Sequence, residues 1–124
     1  MKNWLRKIAV VLFGFGQMAN ASDISNFAET EQEAKQGNAA SQFNLGLMYY
    51  LGKGAPKDYK QAEHWFRRAA EQGDVDAQSN LGGLYYKGQG VAQDYEQAKY
   101  WFQKAAAQGF AKAQYDLGTI YFFG

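Results

Sequence analysis

The chain repeats itself at an interval of 36 residues, so that Gly37, Gly73 and Gly109 stand in register. Segments 41–54 and 77–90 share a Gln, an Asn, a Leu, two Tyr and three Gly. Segments 58–70 and 94–106 share an Asp, a Tyr, a Gln, a Trp, a Phe and three Ala. A period between about 20 and 50 residues is typical of a solenoid, in which each unit buries its apolar face only against its neighbours. The sequence therefore predicts a stack of repeats.

The first half of each unit has the spacing of an amphipathic helix. Leu45 and Tyr49 lie four residues apart and form one apolar stripe, which we expect to face a second helix. Gly46 and its counterpart Gly82 lie beside this stripe, although a glycine inside a helix costs about 1 kcal/mol relative to alanine. A close approach between the paired helices explains why the glycine recurs.

The second half of each unit carries the signals of a helix start. Asp58 precedes Gln61 by three residues, which predicts a capping box in which each side chain accepts a hydrogen bond from the backbone N–H group of the other. Trp65 and Phe66 then alternate with small alanines, a surface suited to interlocking with adjacent units. Truncation of such a buried Trp to Ala costs about 3–5 kcal/mol.

The recurring pattern Ala-Gln-x-Asn-Leu-Gly-x-x-Tyr, then Gly-x-Gly, Asp, Lys-Ala, Trp and Ala-Ala, resembles the Sel-1-like repeat, a relative of the tetratricopeptide repeat. The resemblance implies an all-α fold, a right-handed α-solenoid of antiparallel helix pairs. Repeat one is then 38–73, repeat two is 74–109, and a partial repeat three at 110–124 holds only a first helix. Residues 22–37 are predicted to form a polar capping helix. The departures from the pattern are Ser41, Glu96 and Asp116.

Residues 1–21 have the organisation of a secretory signal peptide cleaved after Ala21. Lys2, Arg6 and Lys7 precede an apolar run at 8–15. The alternative is a membrane anchor, but the run is shorter than the ~20 residues of a spanning helix. No cysteine is present, so a bacterial lipid anchor is not expected. The chain is predicted to be exported to the periplasm or secreted, without a membrane span once the leader is removed.

The charge balance argues against nucleic acid as a partner. The chain has 13 Lys and Arg against 12 Asp and Glu, and three of its cations lie in the leader, which leaves a net charge of −2. Beyond the leader, Arg67 and Arg68 form the only adjacent basic pair, which we interpret as solvated. Nucleic-acid binding requires a broad basic surface.

The sequence offers little material for catalysis, cofactors or metals. It has no cysteine and one histidine, His64, which is expected to be structural or exposed because Tyr100 takes its place in the next unit. It lacks Gly-x-Ser-x-Gly and Ser-x-x-Lys, which carry activated nucleophiles. The Gly-x-Gly turns at 52–54 and 88–90 lack the strand and Lys-Ser/Thr of a phosphate-binding loop. We expect no catalytic residue, cofactor or metal site.

Aromatic residues make up 17% of the chain, more than the helix stripes require. In tetratricopeptide-like stacks, first-helix positions off the stripe line a concave groove, so the resemblance implies a partner-binding groove. Its residues would be Phe43, Leu47, Tyr50, Ser79, Tyr86, Lys87 and Tyr115. The same positions include Leu51, Gly83, Thr119, Phe122 and Phe123. The alternative is that these side chains only pack against the next unit.

The leading functional hypothesis is a non-catalytic, exported adaptor that binds a protein or peptide in this groove. A second is a β-lactam-binding or hydrolysing enzyme like the cysteine-rich branch of the family, although the disulfide-forming cysteines of that branch are missing. A third is a truncated remnant without independent function, since the sequence stops within a unit. Leu117, Tyr121 and Phe122 are expected to face solvent there, which offers a surface for self-association.

Overall fold

The computed structural model describes residues 21–123, which contain six α-helices and no strand. In chain order these are α1 (Ala21–Lys35), α2 (Ala39–Leu51), α3 (Tyr59–Glu71), α4 (Val75–Lys87), α5 (Tyr95–Ala107) and α6 (Ala111–Phe123). Helices α2 and α3 form one pair, α4 and α5 form the next, and α6 follows as another first helix. The prediction of an all-helical repeat stack is confirmed. The predicted leader lies outside the described residues except for Ala21.

The helices begin and end at the residues whose chemistry favours a boundary. Asp58 Oδ1 accepts hydrogen bonds from two backbone N–H groups in the first turn of α3, and Asp94 does the same at α5. The predicted starts of the second helices at these aspartates are confirmed. Gly52 and Gly88 end α2 and α4 with φ of 73° and 70°, a left-handed conformation that glycine adopts without steric cost.

The reciprocal half of the predicted capping box is wrong. The Asp58 N–H group donates to the Tyr49 carbonyl at 2.9 Å, and the Asp94 N–H group donates to the Tyr85 carbonyl at the same distance. The donor that Gln61 was expected to satisfy is therefore already engaged. The bond instead ties the start of each second helix to the end of the first helix, which fixes the turn between them.

Each helix pair closes on a glycine. A Cβ added to Gly46 would lie 2.5 Å from Phe66 Cδ1, and one added to Gly82 would lie 2.8 Å from Phe102 Cδ1. Both rings are buried, so they have little room to move aside. The predicted close approach is present, and the approaching group is an aromatic ring that lies on the glycine backbone.

The tryptophans join neighbouring units. Trp65 of α3 packs with Ala34 of α1 and Leu45 of α2, and it is 6% exposed. Trp101 belongs to the cluster that contains Ala70 of the preceding unit. Each tryptophan thus contacts both its own pair and the helix before it, which makes the core continuous along the stack.

Buried glutamines repeat a second, polar connection between units. The Gln42 side-chain amide donates to the Ala34 carbonyl at 3.0 Å, and the Gln72 amide donates to Gln42 Oε1 at 2.7 Å. Gln78 and Gln108 repeat the arrangement one unit later, with 2.9 Å between Gln108 Nε2 and Gln78 Oε1. Gln42 and Gln78 are buried, and buried amides require such partners because an unpaired one costs about 1–3 kcal/mol.

One departure from the repeat pattern is explained by α1. The Ser41 hydroxyl donates to Glu33 Oε2 at 2.7 Å. In register, later units have Ala77 in place of Ser41 and Ala69 in place of Glu33. The polar pair therefore replaces an alanine pair where α1 meets the first repeat.

Within residues 21–123, no helix combines the length and apolarity needed to cross a membrane.

Substitution of Gly82 by Ala tests closure of the helix pair. We expect the free energy of unfolding to fall by about 1–2 kcal/mol. Overpacking in a core costs about 1–3 kcal/mol, and we expect a cost near the top of that range here because the ring is buried. The better helix propensity of alanine offsets about 1 kcal/mol of this cost. Gly118→Ala is the matched control, since a Cβ there meets nothing within 4 Å, and it should stabilise the protein by up to about 1 kcal/mol. Urea denaturation followed by circular dichroism measures both, and equal effects would contradict the role of the ring contact.

Candidate functional site

A pocket of about 250 Å³ lies where α2, α4 and α6 meet, and we call it the central pocket. Leu47, Phe66 and Leu84 give it an apolar part, and polar groups come from the middle and the end of α4, from the turn that follows and from α6. Four of the seven predicted groove residues line it, namely Leu47, Tyr50, Ser79 and Lys87; the other lining residues are Leu51, Phe66, Asn80, Gly83, Leu84, Gln89 and Lys112.

Two further pockets adjoin the central pocket. One of about 240 Å³ lies between α4 and α6 and shares Gly83, Lys87 and Lys112 with it. The predicted groove residue Tyr86 lines this second pocket. Another of about 340 Å³ lies between α1 and α2 and shares Leu47 and Leu51 with the central pocket. The three pockets adjoin one another along the first helices through these shared residues, and we call this row of pockets the first-helix groove.

The central pocket exists because the middle unit has small residues at two positions. Ser79 stands in register with Phe43 and Tyr115, and Gly83 stands in register with Leu47. A Cβ built on Gly83 meets nothing within 4 Å, so this glycine is not required by helix contact. The space that larger side chains fill in the neighbouring units is therefore left open here.

Ser79 carries an unusual polar atom. It is 2% exposed, which corrects the expectation of a solvent-facing groove residue, and its hydroxyl has no hydrogen-bond partner among the described residues. The Trp101 indole nitrogen is the other buried side-chain polar atom without a partner in this part of the chain. A buried hydroxyl without a partner costs about 1–3 kcal/mol, so Ser79 is not explained by stability.

The predicted groove aromatics divide into packed and accessible residues. Phe43 packs against the Phe66 ring of its own unit, with ring centres 5.8 Å apart, and against the buried cluster that this ring shares with the next unit. Tyr115 is 76% exposed. The Tyr50 ring lies 5.2 Å from that of Tyr59, and its hydroxyl donates to Gln89 Oε1 at 3.2 Å. The contact with Gln89 joins the central pocket to the turn of the next unit.

Lysines supply the charge of the central pocket. Lys87 lies at the end of α4 and is exposed, and no salt bridge involves it among the described residues. Lys112 lies in the first turn of α6, where its Nζ is 3.2 Å from Asp116 Oδ2. No carboxylate lines the central pocket itself within the described part of the chain. Sequence reasoning missed Lys112 and Gln89, because the repeat pattern places them in a helix start and a turn rather than on the expected face.

Outside the groove, two groups have shifted pKa values. Burial raises the pKa of Tyr49, and the nearby charges of Glu31 and Asp58 raise it further. Burial lowers the pKa of the Arg67 guanidinium, but hydrogen bonding and charge from Glu63 and Tyr85 outweigh this and raise it overall. The interpretation of Arg67 as solvated is therefore wrong, since its guanidinium donates to both of these side chains.

Little in the described residues fits metal or acid–base chemistry. His64 is exposed and stacks edge-on against Trp65 at 4.9 Å between ring centres, as expected of a structural residue. Within residues 21–123, no group of three or more His, Cys, Asp or Glu side chains is placed to hold a metal ion.

Comparison with known proteins places this architecture in a family. The Sel1 repeat model matches residues 39–74, 75–110 and 111–124. The chain belongs to the Sel1 repeat family. A Sel1 repeat protein from Oxalobacter formigenes has a similar solved structure, with 36% identity and a TM-score of 0.75, over 95% of this chain and 86% of that one.

Two larger bacterial proteins contain similar repeats. The secretory immunoglobulin A-binding protein EsiB of Escherichia coli O6:H1 is 42% identical over 64 residues, which are 50% of this chain and 13% of EsiB. The structure of c5321, described as a protective antigen in uropathogenic Escherichia coli strains, is 46% identical with a TM-score of 0.74. That match covers 77% of this chain and 20% of c5321, so this Sel1 repeat chain spans a small part of both relatives. Members of the family commonly act as protein-interaction adaptors.

A pair of serine substitutions tests whether Ser79 serves stability. We expect Ser79→Ala to raise the free energy of unfolding by about 1 kcal/mol, because it removes a buried hydroxyl without a partner. Ser41→Ala should lower it by about 1–2 kcal/mol, because Glu33 loses a charge-assisted hydrogen bond. Chemical denaturation of both variants measures the difference. A loss of stability in Ser79→Ala as large as in Ser41→Ala would show that Ser79 is a structural residue.

Proposed function

We propose that this Sel1 repeat chain is a non-catalytic adaptor that binds a protein or peptide partner in the first-helix groove. The observation that carries the proposal is the row of three adjoining pockets along α1, α2, α4 and α6. Apolar, aromatic and cationic side chains line the groove together, and such mixed surfaces are suited to anchoring a peptide. The absence of cysteine from the sequence and its single histidine agree with a non-catalytic role.

We propose further that the adaptor acts at the bacterial envelope or outside the cell, after cleavage of a signal peptide at Ala21. The basic and apolar composition of residues 1–21 supports this location. The names of two relatives agree with it, since EsiB is named for binding secretory immunoglobulin A and c5321 is described as a protective antigen. Secretory immunoglobulin A is therefore a defined partner to test first.

The adaptor proposal is tested with two double variants of the same chemistry. Lys87→Ala with Tyr86→Ala alters the groove side, and Lys104→Ala with Tyr100→Ala alters α5, where Tyr100 is 48% exposed. We expect capture of a partner from envelope extracts, or of purified secretory immunoglobulin A, to fall about tenfold or more for the first variant, as loss of anchoring side chains predicts. The second variant should behave as the unmodified chain.

Each capture is quantified by mass spectrometry or surface plasmon resonance on variants whose thermal unfolding is unchanged. Equal loss with both double variants would indicate nonspecific adhesion. Retention by the groove variant would place the contact elsewhere and overturn the groove assignment.

Self-association through α6 is a second, compatible proposal. Tyr121 is 64% exposed and Phe122 is 82% exposed, whereas Leu117 is only partly exposed and packs against the last core cluster, contrary to expectation. Two large exposed aromatic side chains on one helix favour association. We expect sedimentation equilibrium to show a concentration-dependent dimer that Phe122→Ser weakens. A monomer at all concentrations would contradict this proposal and leave the groove proposal untouched.

A further inference from the structure

We propose that the central pocket recognises an acidic segment of the partner, in which an Asp or Glu side chain lies next to a bulky apolar one. This inference rests on the proposed adaptor function and names the chemistry that the groove selects. It follows from the shape of the pocket, the sign of its charge and the way it opens at both sides.

The shape of the central pocket fits an apolar side chain. Leu47 and Leu51 supply accessible apolar surface, and the buried Phe66 and Leu84 lie behind it, each 1% exposed. Ser79 and Gly83 keep the space beside them open, whereas the neighbouring units hold larger residues at one or both of these positions. A peptide side chain that enters this space completes contacts that the middle unit lacks, as a hot-spot residue does in a partner's pocket.

The charge of the central pocket selects for acidic residues. Lys87 and Lys112 are its charged lining residues; Lys112 Nζ lies 3.2 Å from Asp116 Oδ2, whereas Lys87 has no salt bridge among the described residues. Lys87 therefore supplies the unpaired positive charge. Asn80 and Gln89 add amide groups to the lining. Ammonium and amide groups both donate hydrogen bonds to a carboxylate. A basic segment would instead meet the like charge of Lys87.

The openings of the central pocket favour the interior of a peptide rather than its end. On one side it adjoins, through Leu47 and Leu51, the pocket toward α1, and on the other, through Gly83 and Lys87, the pocket toward α6. A bound chain can therefore extend in both directions. Because Glu29 and Glu33 line the pocket toward α1, the acidic residue is assigned to the central pocket and not to the part of the segment beside α1. We accordingly assign the carboxylate to an Asp or Glu side chain within the segment and not to a chain terminus.

Selection from a random displayed library of peptides about twelve residues long tests this assignment before the natural partner is identified. We expect the chain to enrich peptides that contain Asp or Glu beside Leu, Ile, Phe or Trp. Synthetic versions of the enriched peptides, labelled for fluorescence anisotropy, then give dissociation constants. Replacement of each Asp or Glu by Asn or Gln should weaken binding roughly fivefold or more, and added salt should weaken the acidic peptides selectively.

Two variants of the protein locate the binding. Gly83→Leu introduces into the central pocket the residue type that Leu47 provides at the same position of the preceding unit. A Cβ at Gly83 meets nothing within 4 Å, so we expect the fold to accept the new side chain. We expect at least tenfold weaker binding with unchanged or improved thermal stability. Lys87→Glu should weaken acidic peptides roughly 3- to 10-fold. Lys60→Glu is its matched control, because Glu96 occupies the same place in the next unit, and it should have no effect.

The possible outcomes separate this inference from the adaptor proposal. If the enriched peptides are neutral or basic and Gly83→Leu abolishes their binding, the acidic specificity is overturned. The proposed binding function of the groove is then retained. Peptides that bind Gly83→Leu as tightly as the unmodified chain overturn both. The absence of any enriched peptide also overturns the acidic-segment assignment, while the capture experiment judges the adaptor proposal separately. A terminal carboxylate common to the selected peptides, with no internal acid, would contradict the passage through the pocket.

Discussion

The contact between a helix glycine and a buried phenylalanine ring is the constraint on which the rest of the stack depends. Gly46 and Gly82 allow Phe66 and Phe102 to lie directly on the first helix of each pair. Because glycine has no side chain to hold the two helices apart, the ring of one helix lies against the backbone of the other. The pair then closes tightly enough to bury the leucines and alanines between its helices. Closure also brings the tryptophan of each second helix within reach of the preceding unit. Local packing within a pair therefore sets the geometry between pairs.

The connections between units leave the outer face of the first helices free to vary. These connections are the Gln42 and Gln78 amides, which donate to carbonyl groups of the preceding helix, and the tryptophan rings. Both use the sides of the helices that face neighbouring helices. The stability of such a stack is approximately a sum over units and their nearest-neighbour interfaces. Groove residues such as Phe43, Leu47 and Tyr50 also pack against the core, yet the residue at the Phe43 position differs from unit to unit. The fold therefore tolerates a change from Phe43 through Ser79 to Tyr115 at one repeated position, and that variation shapes the groove.

Features that depend on the repeat alone were predictable from the sequence, whereas features that depend on contacts between elements were not. Asp58 as a helix start and Gly46 as a point of close approach follow from local chemistry and recurrence. The partner of the Asp58 N–H group is a carbonyl of the preceding helix, so tertiary geometry overrides the capping box. The burial of Ser79 also required the structure. The resemblance to tetratricopeptide-like repeats predicts the face of the helix on which a residue lies. It does not predict the exposed fraction of that residue, which depends on the side chains around it.

The hydrogen bond between Ser41 and Glu33 has a consequence for how the repeats find their correct order. Units one and two are so alike that α1 could in principle dock on α4 instead of α2, a slip of one repeat. In that arrangement the Glu33 carboxylate would meet Ala77, which has no side-chain donor, and Ser41 would lose its acceptor. A penalty for the wrong neighbour discriminates as effectively as a reward for the right one. A single polar pair at the start of the array thus distinguishes α2 from α4 as the neighbour of α1.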